Sequence, residues 1–210
     1  MSPVDRPNLR DSYRQHLRDT VLEGAHELVV AKGWEKVRVG EIAELVGTSR
    51  AMLYKEFGNK QGLGGALVLR EAERFLDGIR AELGKHDGDA AGGLAAAVQY
   101  TLGEAARSPL LKAVLISHRE APFPEAYKGV LPLLTTSFSI LEVASGTLAG
   151  WFGEQFPELD SEDVADATDA LVRLTVSHLA LPNATIKRTG DQITEVGLRY
   201  LGLHPRKHQS

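Results

Sequence analysis

The sequence predicts an all-α protein in two parts, a three-helix N-terminal unit built around a helix-turn-helix and a larger C-terminal helical body. Three observations carry this. Apolar residues recur at spacings of three and four, as in Leu17, Val21, Ala25, Leu28 and Val29. A single glycine, Gly47, separates two short segments of helical period. Good capping residues (Ser12, Asn59, Asp160, Thr189) stand at the heads of further such segments. A chain of 210 residues is long enough for both parts to bury apolar surface.

In chain order, residues 1–11 form a flexible arm, and helix one starts at the capping box of Ser12 and Gln15. The next helix carries Ile42, Ala43, Leu45 and Val46 as an apolar face, with the small Ala43 at the crossing point. Gly47 supplies the positive φ that reverses the chain, and Thr48 or Ser49 caps the following helix, residues 49–56, which buries Met52 and Leu53. A long helix runs from Asn59 to about Leu83; Gly62, Gly64 and Gly65 in its first turns serve close packing or a soft joint.

Residues 84–93 read as a glycine-rich loop, followed by helices near 94–106 and 109–116. Pro122, Pro124 and Pro132 make residues 120–131 irregular, as part of a pocket entrance. A helix over 136–156 places Phe138, Leu141, Leu148 and Phe152 on one stripe, with Trp151 beside it. Asp160 or Ser161 caps the next, which carries Val164, Ala167, Leu171, Leu174 and His178 and stops at Leu181-Pro182. The last starts at a second capping box, Thr189 and Gln192, and continues through Ile193, Val196, Gly197, Tyr200 and Leu201. The domains are thus residues 12–58 and 59–204, with a flexible tail at 205–210.

Composition narrows the function. The absence of cysteine excludes disulfides, a thiolate nucleophile and cysteine-ligated zinc. No apolar run approaches the ~18 residues of a membrane span, and the N-terminus lacks a signal core, so a cytoplasmic protein with no membrane partner is expected. The net charge of −4 argues against a protein that coats nucleic acid. It is unevenly spread: residues 1–60 hold ten Lys/Arg against nine Asp/Glu, and residues 61–210 hold fourteen against nineteen. An acidic body is repelled by phosphate, so any DNA contact belongs to the N-terminal end.

The chemistry at that end fits DNA. The second helix of the pair displays Thr48, Ser49, Arg50 and Ala51 at its start, small or short polar groups beside one guanidinium, a surface that suits a major groove. Arg50 is the best candidate for base readout, of a guanine through O6 and N7. Arg38, at the head of the preceding helix, caps poorly but suits a phosphate. Arg6 and Arg10 of the arm could touch a minor groove, although a plain disordered tail is the favoured account of them. An ordinary helical hairpin would show the same glycine between two apolar segments, so more than the turn is needed.

Tyr54, Phe57, Lys60 and Leu63 supply more, because this spacing resembles the Y-x-x-F-x-x-K-x-x-L signature of the TetR family of bacterial transcriptional regulators. The resemblance covers about residues 13–68, with Ala25, Gly33, Trp34, Val37, Val39, Ile42, Ala43, Gly47 and Leu53 at the positions such proteins use. It implies that the Tyr54 hydroxyl, Lys55 and Lys60 contact the DNA backbone, while Phe57 packs the reading unit onto helix one. Arg38 departs from the family's Ser or Thr, and Gly40 stands where a longer polar residue is common. The family also implies a C-terminal ligand-binding and dimerisation domain whose last two helices pair with a second copy; Ala167, Leu171, Leu174, Ile193, Val196 and Tyr200 are the dimerisation candidates. Tyr100, His118, Phe138, Trp151 and Phe152 are the ligand-lining candidates. The run from Tyr54 through residues 69–75 resembles actinobacterial members tied to lipid or alkane breakdown, which favours an acyl chain as effector.

The expected partners are therefore a near-palindromic double-stranded operator, a small, largely apolar effector and a second copy of the chain, with the effector releasing a repressor from DNA. A ligand-activated or non-repressing DNA binder is the variant reading, and an enzyme with an incidental helix-turn-helix the competing class. For the latter, the seven histidines show no metal-ligand spacing, His118-Arg119-Glu120 has no partner motif, and no phosphate loop or nucleophile elbow is present. No catalytic residue, metal or cofactor is expected. A nucleoid protein would need a basic surface that the acidic body does not supply.

Overall fold

The computed structural model of the chain describes residues 9–116 and 136–203. Among these the fold is all-α: α1 (Leu9–Lys32), a 3-10 turn (Trp34–Lys36), α2 (Val39–Leu45), α3 (Arg50–Phe57), α4 (Lys60–Leu83), α5 (Ala90–Arg107), α6 (Pro109–Ile116), α7 (Thr136–Gln155), α8 (Ser161–Ala180) and α9 (Ile186–Tyr200). The described residues divide into two compact units within α4, between Arg70 and Glu71. The sequence places the boundary at residues 58/59, and in the structure the first turns of α4 group with the first unit. Leu63 and Leu67 are buried, and the Arg70 guanidinium pairs with Glu23 of α1 and donates to the Asp19 carbonyl at 3.0 Å.

The core of the first unit gathers Val21, Leu22, Ala25 and Val29 of α1 with Trp34, Val37, Ile42, Ala43, Leu53 and Phe57. Its α1 begins at Leu9, so Ser12 lies inside the helix, and the end of the expected arm, residues 9–11, is helical. Gly24 lets the end of α2 approach α1: a Cβ there would stand 2.7 Å from Val46 Cγ1. Leu45, expected in the apolar face of α2, is half exposed. Asn59 caps α4 by accepting from the Gly62 N–H at 2.8 Å. Gly62 itself cannot carry a side chain, since a Cβ would run into the Phe57 carbonyl oxygen.

In the second unit the chief packings are α5 on α9 and α7 on α8. Its α5 begins at Ala90, capped by Asp89, which accepts from Gly92 N at 2.9 Å, so the last glycines of the expected loop are helical. Gly93 is required there by packing: a Cβ would lie 2.5 Å from Trp151 Cη2. Asp160 caps α8 through the Glu162 and Asp163 N–H groups. Helix α9 starts earlier than the Thr189 box implies. Thr185 is its cap, accepting from Arg188 N at 3.3 Å, and Thr189 is buried inside the helix. Gly197 permits the α9 contact, because a Cβ would stand 2.7 Å from both Leu171 Cδ1 and Leu94 Cδ2. The irregular segment at 120–131 and the tail at 205–210 lie outside the described residues.

Gly62→Ala should destabilise the protein by about 1–3 kcal/mol, since overpacking against a backbone carbonyl outweighs the helix propensity gained. Gly153→Ala on α7, where a Cβ meets nothing within 4 Å, should instead stabilise by up to about 1 kcal/mol. Urea denaturation of the two variants measures both signs.

Candidate nucleic-acid interface

The reading surface is set by the turn between α2 and α3. Gly47 has φ +70°, its N–H donates to the Glu44 carbonyl at 3.3 Å, and the Thr48 N–H donates to the Ala43 carbonyl at 2.9 Å. This pair of bonds is a Schellman motif, which satisfies the last carbonyls of α2 and fixes the exit direction of the chain. Ser49 rather than Thr48 caps α3, its hydroxyl accepting from the Met52 N–H at 3.2 Å. Of the two residues expected to be buried, Leu53 is, but Met52 is 38% exposed, because the helix turns only Leu53 and Phe57, four residues apart, into the core.

Ser49, Arg50, Ala51, Tyr54 and Lys55 are all exposed, and Thr48 is partly buried. Residues 50 and 54 stand one turn apart on α3, as do 51 and 55, so the start of the helix and the Tyr54 hydroxyl address one side. Arg50 forms no hydrogen bond or ion pair with a described residue, leaving its donors open to an acceptor. Gly40 gives it room: a Cβ there would collide with the guanidinium, which rests across the start of α2. The glycine that departs from the family pattern is thus matched by Arg50, a pairing that spacing alone does not reveal.

Arg38 precedes α2 as an exposed residue whose side chain makes no capping bond. Its N–H is satisfied by the Glu41 carboxylate at 2.9 Å, and Glu41 is paired with Lys32 at 2.8 Å, so the Arg38 guanidinium is not used in closing the helix. Lys60 is placed otherwise than a free phosphate ligand. Its ammonium lies 5.1 Å from the Trp34 ring centroid and donates to the Glu35 carbonyl at 3.3 Å, which leaves further N–H bonds to offer.

One cluster was not legible from the sequence. Glu56, near the end of α3, accepts from Arg14 at 2.7 Å and from Arg18 at 3.1 Å, and the Arg18 guanidinium lies 5.0 Å above the Phe57 ring. These contacts tie the reading helix to α1. The Arg14 hydrogen bond, helped by Arg18, outweighs burial and holds the Glu56 carboxyl below the usual glutamate range.

The second unit contains an apolar cavity of about 40 Å³ lined by residues that include Phe75, Ile79, Leu94, Leu115, Leu148 and Leu171, with Thr101 and Thr175 as its polar lining. Three of the ligand candidates miss it. Tyr100 stacks on Phe75 at 6.0 Å, with its hydroxyl over Gly78, while Trp151 and Phe152 pack with Phe156 in an aromatic cluster at centroid distances of 5.0–5.9 Å. Phe152 is fully buried there, as core. His118 and the Phe138 side chain lie outside the described residues. Among the dimerisation candidates, Ala167, Leu171 and Ile193 are buried within the protomer and serve its own core; Leu174 is partly buried, and Val196 (53%) and Tyr200 (57%) are exposed. Helical period does not say which side of α8 or α9 meets α5 and α7.

Among the described residues no group of three His, Asp or Glu could hold a metal, and no helix is long and apolar enough to cross a membrane.

Comparison with known proteins gives the same reading. Residues 21–67 match the family model described as bacterial regulatory proteins, tetR family, and residues 89–199 match that of the bacterial tetracyclin repressor, C-terminal domain. The chain is 30% identical over 183 residues to the HTH-type transcriptional regulator AlkX of Mycobacterium tuberculosis, spanning 87% of this chain and 83% of the relative. The structure of the TetR family repressor AlkX from a Dietzia strain, implicated in biodegradation of n-alkanes, superposes with TM-score 0.64 at 27% identity over 88% of this chain and 95% of that one. A Mesorhizobium loti regulator shares the fold at TM-score 0.68 and 20% identity, over 89% and 96% of the two chains.

Two measurements test the site. Arg50→Ala should relax the preference at one base pair by ~1–3 kcal/mol, whereas Tyr54→Phe and Lys60→Ala should weaken binding to all sequences alike; anisotropy on a panel of single-base operator variants separates the two patterns. The Glu56 contacts stabilise the fold fully above the ordinary glutamate pKa of about 4.3 and lose that effect as pH falls through the lowered folded value. Glu56→Gln should therefore lose less unfolding free energy than the parent on acidification below that pH, as read by denaturant titration.

Proposed function

We propose, since the chain belongs to the TetR family of bacterial transcriptional regulators, that it is a ligand-responsive repressor which reads a near-palindromic operator as a homodimer. TetR-family proteins bind DNA as dimers and often respond to small molecules. The observation that carries the reading here is the exposed start of α3, where Arg50 pairs with no described residue and Tyr54 stands one turn beyond it. Arg50 and its neighbours Thr48, Ser49 and Ala51 meet base edges, and Arg38, Tyr54, Lys55 and Lys60 meet phosphates. The exposed Val196 and Tyr200 of α9, with Leu174 of α8, form the centre of the dimer contact. Two copies then present their reading helices about one DNA turn, ~34–36 Å, apart.

The effector we assign is a hydrocarbon or acyl chain held in the apolar cavity. Two lines support this, the lining of that cavity and the likeness to AlkX proteins, one of them implicated in n-alkane biodegradation. At about 40 Å³ the cavity is little larger than one water's share of liquid volume, ~30 Å³. A chain of several methylenes must widen it, so ligand binding is linked to a rearrangement of the helices around it. A hundredfold release of DNA requires the ligand to prefer the non-binding form by about 2.7 kcal/mol.

The first experiment is anisotropy with the DNA upstream of the protein's own gene against a shuffled duplex, across a salt series. A sequence preference with a steep salt slope is expected, and equal binding to both duplexes would count against an operator at that site. Octane, hexadecane and palmitate are then added in turn. At least one should raise the thermal midpoint of the free protein and weaken operator binding together; if none does both, the effector assignment fails.

A further inference from the structure

The second unit holds another cavity whose chemistry differs from the first. It measures about 190 Å³ and shares no lining residue with the apolar one. Its walls come from the end of α5 (Leu102), from α6 (Lys112), from the last turn of α8 (His178, Leu179) and from the first turn of α9 (Ile186, Thr189). The His178 Nδ1 is buried and has no hydrogen-bond partner. Lys112 is partly buried and pairs with no described residue. No described lining residue is acidic.

A buried nitrogen without a partner, beside an ammonium that pairs with no described residue, is costly to maintain unless something answers it. Water alone could solvate both, yet most of the lining is aliphatic and offers little to hold a chain of waters. A phosphate or sulfate would need more donors than the two nitrogens and one threonine hydroxyl supply. A carboxylate has two oxygens, one for each nitrogen. The volume equals about six water shares of ~30 Å³, room for a short alkyl body as well.

We propose that this cavity binds a small alkyl monocarboxylate, independently of the apolar effector cavity. The carboxylate accepts from the Lys112 ammonium and from an N–H at His178 Nδ1, which either the Nδ1-protonated neutral ring or the imidazolium provides. The alkyl part lies on Leu102, Leu179 and Ile186. The proposal does not depend on the DNA-binding reading, because every lining residue belongs to the second unit.

The test is an NMR titration of the full-length protein with hexanoate and, separately, with the neutral hexanamide. Hexanoate should saturably shift the His178 ring and Ile186 methyl signals while the Thr175 and Val176 methyls, which line the other cavity, stay in place. Affinity should fall at least about tenfold for hexanamide, and equally for hexanoate with Lys112→Met, while Lys112→Arg retains binding. The site is overturned if hexanamide binds as well as hexanoate, if Lys112→Met binds like the parent, if the shifts appear at Thr175 and Val176 instead, or if no signal saturates.

Discussion

What the first unit presents to its surroundings depends on one reversal of the chain at Gly47. The positive φ there and the two hydrogen bonds back to Ala43 and Glu44 close α2 and fix the direction in which α3 leaves. A residue with a Cβ would meet nothing in space at this position but would be strained in φ, so the constraint is on the backbone itself. Once the direction is fixed, Leu53 and Phe57 turn inward, and residues 49–51 with Tyr54 are left facing out. Glu56 then anchors the far end of α3 to α1 through two arginines. A short helix with both ends held is a rigid platform, which is what the proposed base readout needs.

The interface is economical with charge. The Arg38 and Arg50 side chains are exposed and form no capping bond or ion pair with a described residue, whereas Arg14 and Arg18 are committed to Glu56, and Lys32 to Glu41. The cations thus separate into those that hold the fold and those that remain for a partner. Lys60 does both, lying over Trp34 while keeping N–H bonds to give. The acidic balance of residues 61–210 disfavours phosphate there, in keeping with the proposed interface on the first unit.

In the second unit, glycine and aromatic residues set how closely helices pack. Gly93 of α5 admits the Trp151 ring of α7, and Gly197 of α9 admits Leu94 of α5 and Leu171 of α8. Trp151 and Phe152 of the aromatic cluster are buried as core, and the cavity beside Phe75 is walled mainly by aliphatic side chains. Large aromatics are poor guides to a ligand site when the chain has few of them, because the core claims them first.

The sequence by itself determined the all-α class, most helices to within a few residues, the turn at Gly47, and the set of residues at the start of α3. Each of these rests on local physics, namely helical period, capping chemistry and a φ that only glycine adopts freely, so neighbours in sequence suffice to specify it. The tertiary structure decided what depends on residues far apart in the chain. It placed Glu56 on Arg14 and Arg18, laid Arg50 over Gly40, turned Ala167, Leu171 and Ile193 inward and Val196 and Tyr200 outward, and put the cavity away from Tyr100, Trp151 and Phe152. A helical stripe states that a face is buried without naming what buries it, and only the packed helices supply that second surface.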